Sequence, residues 1–503
     1  MNDSSPQHSV WIPESLPAEY PPLREGLEVD VAVVGGGIAG LSTACLLQRA
    51  GLNVAVIEAA TVGCGTTGHS TAKVTSLHSQ IYSQLEKKFD LDAAQVYAQA
   101  NQAGLQQVAS FVEEFNIDCQ FERQAAFTYT CDHSRVEEVR QEAEAARRAG
   151  LPASFTTETE LPFAVLGAVR VEEQAQFQPY EYCRALARAF IERGGRIFEQ
   201  TRATNVSQAS GKCKVHTHTA ELQAEHVVLA TLLPFLDRGG FFARTYPSRS
   251  YGIAVRLDGS APEGMYINVE SPTRSVRPLA DRSGMLVIGE QHKVGHDPDT
   301  RARYASLESW ARRHFPVRSV ENRWSAQDYM SVDSVPYIGR SPLGSERIWV
   351  ATGFNKWGLT AGTAAAMILT DLIQERENPW AGFFNAARAD VLPSAKKLIT
   401  ENLDVAKRFV GDRIRSAAAP KLHELTPGHG AIVSHDGKKV AAYRDDSGRV
   451  HACSPACTHM GCYVQWNTAE KSWDCPCHGS RFGYDGEVLQ GPAVNPLESK
   501  NVT

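Results

Sequence analysis

Apolar residues recur at i+3/i+4 spacing over Val96, Ala100, Ala103, Val108, Phe111, Val112 and Phe115, a stripe that predicts a helix with one buried face. Arg135 to Ala149 is dense in Glu, Ala and Arg and predicts an exposed helix, stopped by Gly150 and Pro152. Another helix is expected between Arg184 and Ile191, ending at Gly194 and Gly195 before the strand RIFEQ. From Tyr251 to Ile288 short apolar runs alternate with Gly, Pro and Ser, which predicts antiparallel sheet. A last long helix begins near Thr360. Arg413 to Gly430 has small residues and prolines without periodicity, as linkers do. Beyond it, short strands with turn signals (HDGKK, RDDSGR) predict an all-β unit of roughly 80 residues. An arm with Pro13, Pro17, Pro21 and Pro22 precedes the first strand, DVAVVG, at Asp30. The chain therefore divides into an arm (1–25), a main body (26–412), a linker (413–422) and a tail domain (423–503).

A length of 503 residues suggests about three structural units at roughly 150 residues each. With 43% hydrophobic and 21% charged residues the chain is an ordinary soluble globular protein. Lys+Arg of 51 against Asp+Glu of 57 gives no reason to expect nucleic acid or an anionic membrane as partner. The first twenty residues lack a basic segment followed by an apolar one, so no secretory signal is expected and the expected location is the cytoplasm. The long uncharged run Val31 to Leu47 contains four glycines and reads as a nucleotide-binding turn, not a membrane span. Five of the eleven cysteines (Cys453, Cys457, Cys462, Cys475, Cys477) fall in the tail, and such clustering points to chemistry.

The run DVAVVGGGIAG leads from strand into Gly35-x-Gly37-x-x-Gly40 and then into the helix LSTACLLQRAG. Glycines there make a tight turn and let the backbone approach a pyrophosphate at the helix N-terminus. A second strand, NVAVIE, ends in Glu58, a carboxylate placed to accept hydrogen bonds from a ribose hydroxyl. A lone glycine motif arises by chance; strand, helix, second strand and terminal acid in order point to a dinucleotide.

After Glu58 the chain reads AATVGCGTTGHSTAKVTSLH, and from here it resembles the D-amino acid oxidase/glycine oxidase superfamily, in particular γ-glutamylputrescine oxidoreductase-type enzymes. The YPPL arm, the VGCGTTG loop, VVLAT at Val227–Thr231, WSAQDYMSVDSVPYIG at Trp324–Gly339 and ATGFNKWGLTAGTAAA at Ala351–Ala366 carry the likeness. It implies an α/β fold: a Rossmann-like FAD-binding domain (about 26–80, 150–235 and 330–405) with an α+β substrate domain inserted (about 81–149 and 236–329). It further implies FAD held by Gly35, Gly37, Ile38, Ala39, Gly40, Glu58, Gly65, Thr66, Thr67, His69, Ser70, Ala203, Ala230, Thr231, Gly353, Gly358, Leu359 and Thr360. In the superfamily the segment matching GFNKWGLT approaches the flavin pyrimidine edge with a helix N-terminus, which favours the anionic reduced flavin. Leu232 departs from the usual Ala-Thr-Gly, leaving the local turn open. His69 matches a loop histidine that carries flavin covalently in some relatives; the alternative is a hydrogen bond to the pyrophosphate or a cap on the next turn. Asp328, Tyr329, Lys356 and Trp357 lie in segments that approach the flavin and are the candidate catalytic residues, with a scaffold role as the alternative.

In the tail, CTHMGC at Cys457–Cys462 and CPCHGS at Cys475–Ser480 each offer one Cys and one His. A zinc ribbon would pair Cys-x-x-Cys knuckles instead. Two thiolates on one iron and two imidazoles on the other is the Rieske [2Fe–2S] arrangement. Leu422 to Pro496 resembles Rieske domains, all-β in fold. The resemblance assigns Cys457 and Cys475 as thiolate ligands, His459 and His478 as imidazole ligands, and Cys462 with Cys477 as a disulfide tying the loops, the alternative being two free buried thiols. Phe482 stands where the respiratory branch has a tyrosine that bonds a cluster sulfur, and its loss is expected to lower the potential.

A flavin takes two electrons and a Rieske cluster passes one at a time. The expected function is oxidation of an amine or amino acid by hydride transfer to flavin, with electrons leaving through the cluster to a one-electron partner, a protein or a quinone. Two alternatives stand beside it: reverse flow, in which the cluster reduces the flavin and the flavin reduces or oxygenates a substrate, and an oxygen-using amine oxidase with the Rieske domain as a docking module.

Overall fold

The computed structural model describes residues 8–209, 211–236, 239–295, 297, 299–342, 346–388 and 420–502. The run DVAVVG falls in the strand Leu27–Val34, whose Val31, Ala32 and Val33 are fully buried. Burial on both faces is what parallel strands under helices require. Its neighbours are Val54–Ile57 and Glu221–Leu229, both parallel to it, and Glu221–Leu229 pairs in parallel with Ile348–Thr352. Tyr337–Arg340 closes one edge antiparallel and Arg196–Phe198 the other in parallel. The helices Ile38–Arg49 and Gly358–Ile373 pack on each other over this sheet, and Leu91–Glu114 packs on the latter. A Cβ on Gly104 would sit 2.4 Å from the Thr360 carbonyl oxygen, so glycine is what lets those two helices approach.

The second sheet has nine strands and carries the inserted domain. Thr245–Leu257 lies between Gly284–Lys293 and Val317–Ser331, antiparallel to both. The strands within the span predicted as antiparallel, Thr245–Leu257, Met265–Asn268, Arg274–Pro278 and Gly284–Lys293, do pair antiparallel. The sheet becomes mixed only where Met265–Asn268 runs parallel to Glu122–Thr130, joined through a long excursion and not by a hairpin. The helix expected to be exposed, Val136–Arg148, buries Val139, Glu142, Ala143, Ala145 and Ala146. Glu142 accepts from the amides of Tyr82 (2.8 Å) and Ser83 (2.9 Å), and burial pushes its carboxyl up to about 7.

The tail folds as two small antiparallel sheets, Gly430–His435/Lys438–Arg444/Val450–Cys453 and Gln465–Asn467/Ser472–Asp474/Arg481–Gly483/Val488–Gln490. Trp473, Phe482, Tyr443 and Val464 fill the core between them. Most of the expected linker, 413–419, and the end of the body from 389 lie outside the described residues. No helix among the described residues is long and apolar enough to cross a membrane.

Candidate active site and candidate cluster site

The turn after the first strand opens onto a cavity of about 750 Å³. Gly35 has φ +116° and a Cβ there would lie 2.5 Å from the Ala230 carbonyl oxygen; one on Gly40 would lie 1.9 Å from that of Gly35. The bare backbone thus lets strand and helix close up, and Gly37, Ile38 and Ala39 at the start of the helix Ile38–Arg49 line the space. The Ile38 amide donates to Thr67 Oγ1 at 3.2 Å, joining the turn to the 65–70 loop. Glu58 accepts from Gly36 (2.7 Å) and Ala60 (2.8 Å); burial pushes its pKa up, and these two amides oppose the rise. Glycine backbone, helix amides and an acid at the second strand's end make a donor and acceptor set that fits a dinucleotide.

Of the residues expected around FAD, Gly35, Gly37, Ile38, Ala39, Glu58, Gly65, Thr66, Thr67, His69, Ser70, Ala203, Ala230, Thr231, Gly358 and Leu359 line this cavity. Gly40, Gly353 and Thr360 do not. Gly40 is spent on helix–strand contact, Gly353 (φ +72°) packs against Ser331 and Tyr337, and Thr360 Oγ1 donates to the Thr75 carbonyl at 2.9 Å. Leu232 adopts φ +69°, the conformation in which glycine is usual, so the turn is kept despite the departure in sequence. His69 is half-buried, with Nδ1 2.9 Å from the Gly65 oxygen and its own carbonyl accepting from Trp324 Nε1 at 3.0 Å. Burial pushes its imidazole pKa down, against the pull of that Gly65 contact.

Asp328, Lys356 and Trp357 also line the cavity. Asp328 accepts from the amides of Tyr329 (2.7 Å) and Lys356, and burial pushes its pKa up to about 6. Lys356 Nζ donates to Ser250 Oγ (2.9 Å) and Gln291 Oε1 (2.7 Å); burial pushes it down to about 8, with Asp328 opposing. Trp357 stacks on His78, ring centroids 4.5 Å apart. Tyr329 is the exception: it leaves the cavity wall on the other side and donates through Oη to the His478 carbonyl at 2.7 Å. Sequence reading missed Lys73, a buried lysine on the cavity wall that donates to the Tyr266 carbonyl (2.7 Å) and Ser275 Oγ (2.5 Å). Its one signal is a charge inside the small and apolar run TAKVTSL.

The tail's two loops meet face to face. The Cys457 and Cys475 thiols share a hydrogen bond, which holds Cys457 low and pushes Cys475 high. The imidazoles of His459 and His478 stand edge to face, centroids 5.1 Å apart. His478 is buried, its Nδ1 has no hydrogen-bond partner, and burial drives its pKa down to about 3. A buried neutral imidazole nitrogen with nothing to bond fits a metal ligand. Cys462 and Cys477 are joined in a disulfide. The sulfurs of Cys462, Cys475 and Cys477 lie within 4.8 Å of one another, but with two of them bonded together only Cys475 of the three can ligate. A pair of thiols opposite a pair of imidazoles is a donor set for two irons of unequal ligation.

The cluster loops are docked on the flavin domain. Arg249, 1% exposed, pairs with Glu470 (3.0 Å) and Asp474 (3.2 Å) of the tail, and Arg481 pairs with the same two acids. Thr300 Oγ1 bonds Asn467 Oδ1 at 2.8 Å, and Phe242 meets His478 edge-on. Arg481 and Leu489 to Val494 line the same cavity as the glycine turn, a contribution of the tail that its own sequence gives no sign of.

Residues 30–372 match the DAO family of FAD-dependent oxidoreductases, and residues 417–501 match the Rieske [2Fe–2S] domain. The chain belongs to that FAD-dependent oxidoreductase family and carries a Rieske domain at its C-terminal end, so FAD and a [2Fe–2S] cluster are its implied cofactors. It is 36% identical over 493 residues, 97% of each chain, to YhfW of Bacillus subtilis (strain 168), described as a Rieske 2Fe-2S iron-sulfur protein. It is 26% identical over 385 residues to γ-glutamylputrescine oxidoreductase of Escherichia coli (strain K12), covering 73% of this chain and 89% of that one. The fold matches that of glycine oxidase from Geobacillus kaustophilus with a TM-score of 0.61 at 20% identity, over 72% of this chain and 99% of the other.

Proposed function

We propose that this protein oxidises an amine or amino acid at FAD and exports the electrons singly through a Rieske cluster held by Cys457, Cys475, His459 and His478. One observation carries the reading: the strand Val317–Ser331 gives Asp328 to the cavity and, one residue on, Tyr329 to the cluster loop, so the two sites share a wall. Bound FAD supplies the two-electron oxidation of a C–H bond next to nitrogen, and the cluster supplies a one-electron exit. The chain's own part is to bind and to orient. The glycine turn and the helix amides of Ile38–Arg49 receive the pyrophosphate, Glu58 the ribose, and the 65–70 loop closes over them. Lys356, tethered to Ser250 and Gln291, places a cation on the cavity wall beside Asp328. The substrate class draws support from the names of the relatives, an oxidoreductase of γ-glutamylputrescine and an oxidase of glycine. The test is an anaerobic panel of amines and amino acids added to holoprotein, read by flavin bleaching. A subset is expected to bleach it; no bleaching by any of them, or peroxide released in air at the rate of turnover, contradicts the reading.

A further inference from the structure

One strand separates the cavity from the cluster loop, and three successive residues of it do different work. Side chains alternate across a strand, and Asp328 faces the cavity while Tyr329 faces the tail. Tyr329 Oη donates to the carbonyl of His478 at 2.7 Å. Gln327, on the same side as Tyr329 and at the rim of the cavity, donates through Nε2 to the Gly479 carbonyl at 2.7 Å. Its amide is oriented by Arg249, which donates to Oε1 at 3.1 Å, and its own carbonyl accepts from Thr66 Oγ1 of the loop lining the cavity at 3.0 Å. The fit leaves no slack: a Cβ on Gly479 would come within 2.6 Å of Gln327 Nε2, 2.7 Å of Pro247 and 2.9 Å of Tyr329 Oη. Both donors act on adjacent peptide carbonyls of the loop that carries Cys475 and His478, inside the tail's buried contact with the body.

We infer that Gln327 and Tyr329 are positioning residues for electron transfer, which tune the Rieske cluster from the flavin domain. A donor on a loop carbonyl draws electron density away from the cluster side and favours its reduced, more negative form. The same bonds hold the loop at a fixed distance from the cavity. The inference rests on the function proposed above. Two one-electron transfers across this strand then carry off the pair of electrons that one substrate oxidation delivers, each reducing one ferric iron that is reoxidised by an external one-electron acceptor before the next.

The test uses full-length holoprotein, reduced in steps under potentiometric control and by photoreduction of the flavin, with the cluster followed by electron paramagnetic resonance. Tyr329→Phe and Gln327→Met are expected to retain iron and sulfide, to lower the cluster midpoint, and to shift the flavin–cluster electron distribution away from the cluster by about fivefold each, the effect of one net hydrogen bond. Wild-type midpoint and distribution in both variants, with cluster content unchanged, overturn the inference. If Tyr329→Phe loses its cluster, Gln327→Met is decisive by the same readings. A wild-type cluster that stays oxidised while the flavin is photoreduced overturns the proposed direction of flow instead, and that outcome is visible without either variant.

Discussion

Asp328 is a buried acid whose proton is held more tightly in the folded chain than in the unfolded one, its pKa raised from 3.8 to about 6 by burial. A raised acid contributes its stability below the unfolded pKa and loses it as pH rises through the folded one. Between pH 4 and 6 the wild type should therefore lose up to ~3 kcal/mol that Asp328→Asn does not lose. Thermal midpoints of both proteins at pH 5 and 7 check this; equal pH slopes would remove the effect. His69 carries a second residue-scale prediction. If it only lines the site, acid precipitation releases FAD; if it is the anchor, flavin stays with the protein, and His69→Ala weakens or unlinks it either way. Unchanged flavin content and spectrum in that variant would take His69 out of the site. Individual positions were legible where one residue type meets one backbone demand, as with Gly35 and Gly40. Tyr329 was not, because its neighbour Asp328 faces the cavity and sequence alone does not say which of two adjacent strand residues turns away.

At the scale of elements, the strand Val317–Ser331 and the 475–480 loop form the contact on which the account turns. Gly479 has φ +74° and three neighbours waiting where a Cβ would sit. Gly479→Ala should force the loop off the strand and lose most of the cluster, measured as iron per chain; retention of full iron and a wild-type spectrum would contradict the packing. The Cys462–Cys477 disulfide spans 15 residues, a closure worth ~3 kcal/mol in the chain-entropy account. Replacing both by serine should lower the temperature at which the cluster signal is lost. The tail's Cys and His spacing made these loops readable from sequence, since few chemistries use one Cys and one His per loop. The helix Val136–Arg148 was read as exposed because its Glu and Arg hide a narrow alanine face, and the buried Glu142 is met by two amides of the earlier helix Ile81–Lys88.

For the whole molecule, the sequence already divides flavin domain from Rieske domain, but it gives no hint that they share a surface. The contact is built of Arg249 of the body against Glu470 and Asp474 of the tail, which Arg481 of the tail also holds, residues that look like ordinary solvated charges along the chain. Arg249 is the body's member of this buried ionic set, and because Arg481 still pairs with both acids when it is removed, the loss falls on the contact between the domains and not on the acids. Arg249→Met should accordingly loosen the tail on the body, seen as slower reduction of the cluster with unchanged flavin content. The central claim is that electrons leave through the cluster. It is tested most directly by mixing holoprotein anaerobically with a substrate found in the panel and freezing samples through the first turnover, in wild type and Cys475→Ser. In the wild type, flavin bleaching should come first and the reduced-Rieske signal follow within the catalytic cycle. Cys475→Ser should bleach at the same rate yet fail to reduce a one-electron protein acceptor. A cluster that fills before the flavin, or a variant that turns over normally with that acceptor, would contradict the account.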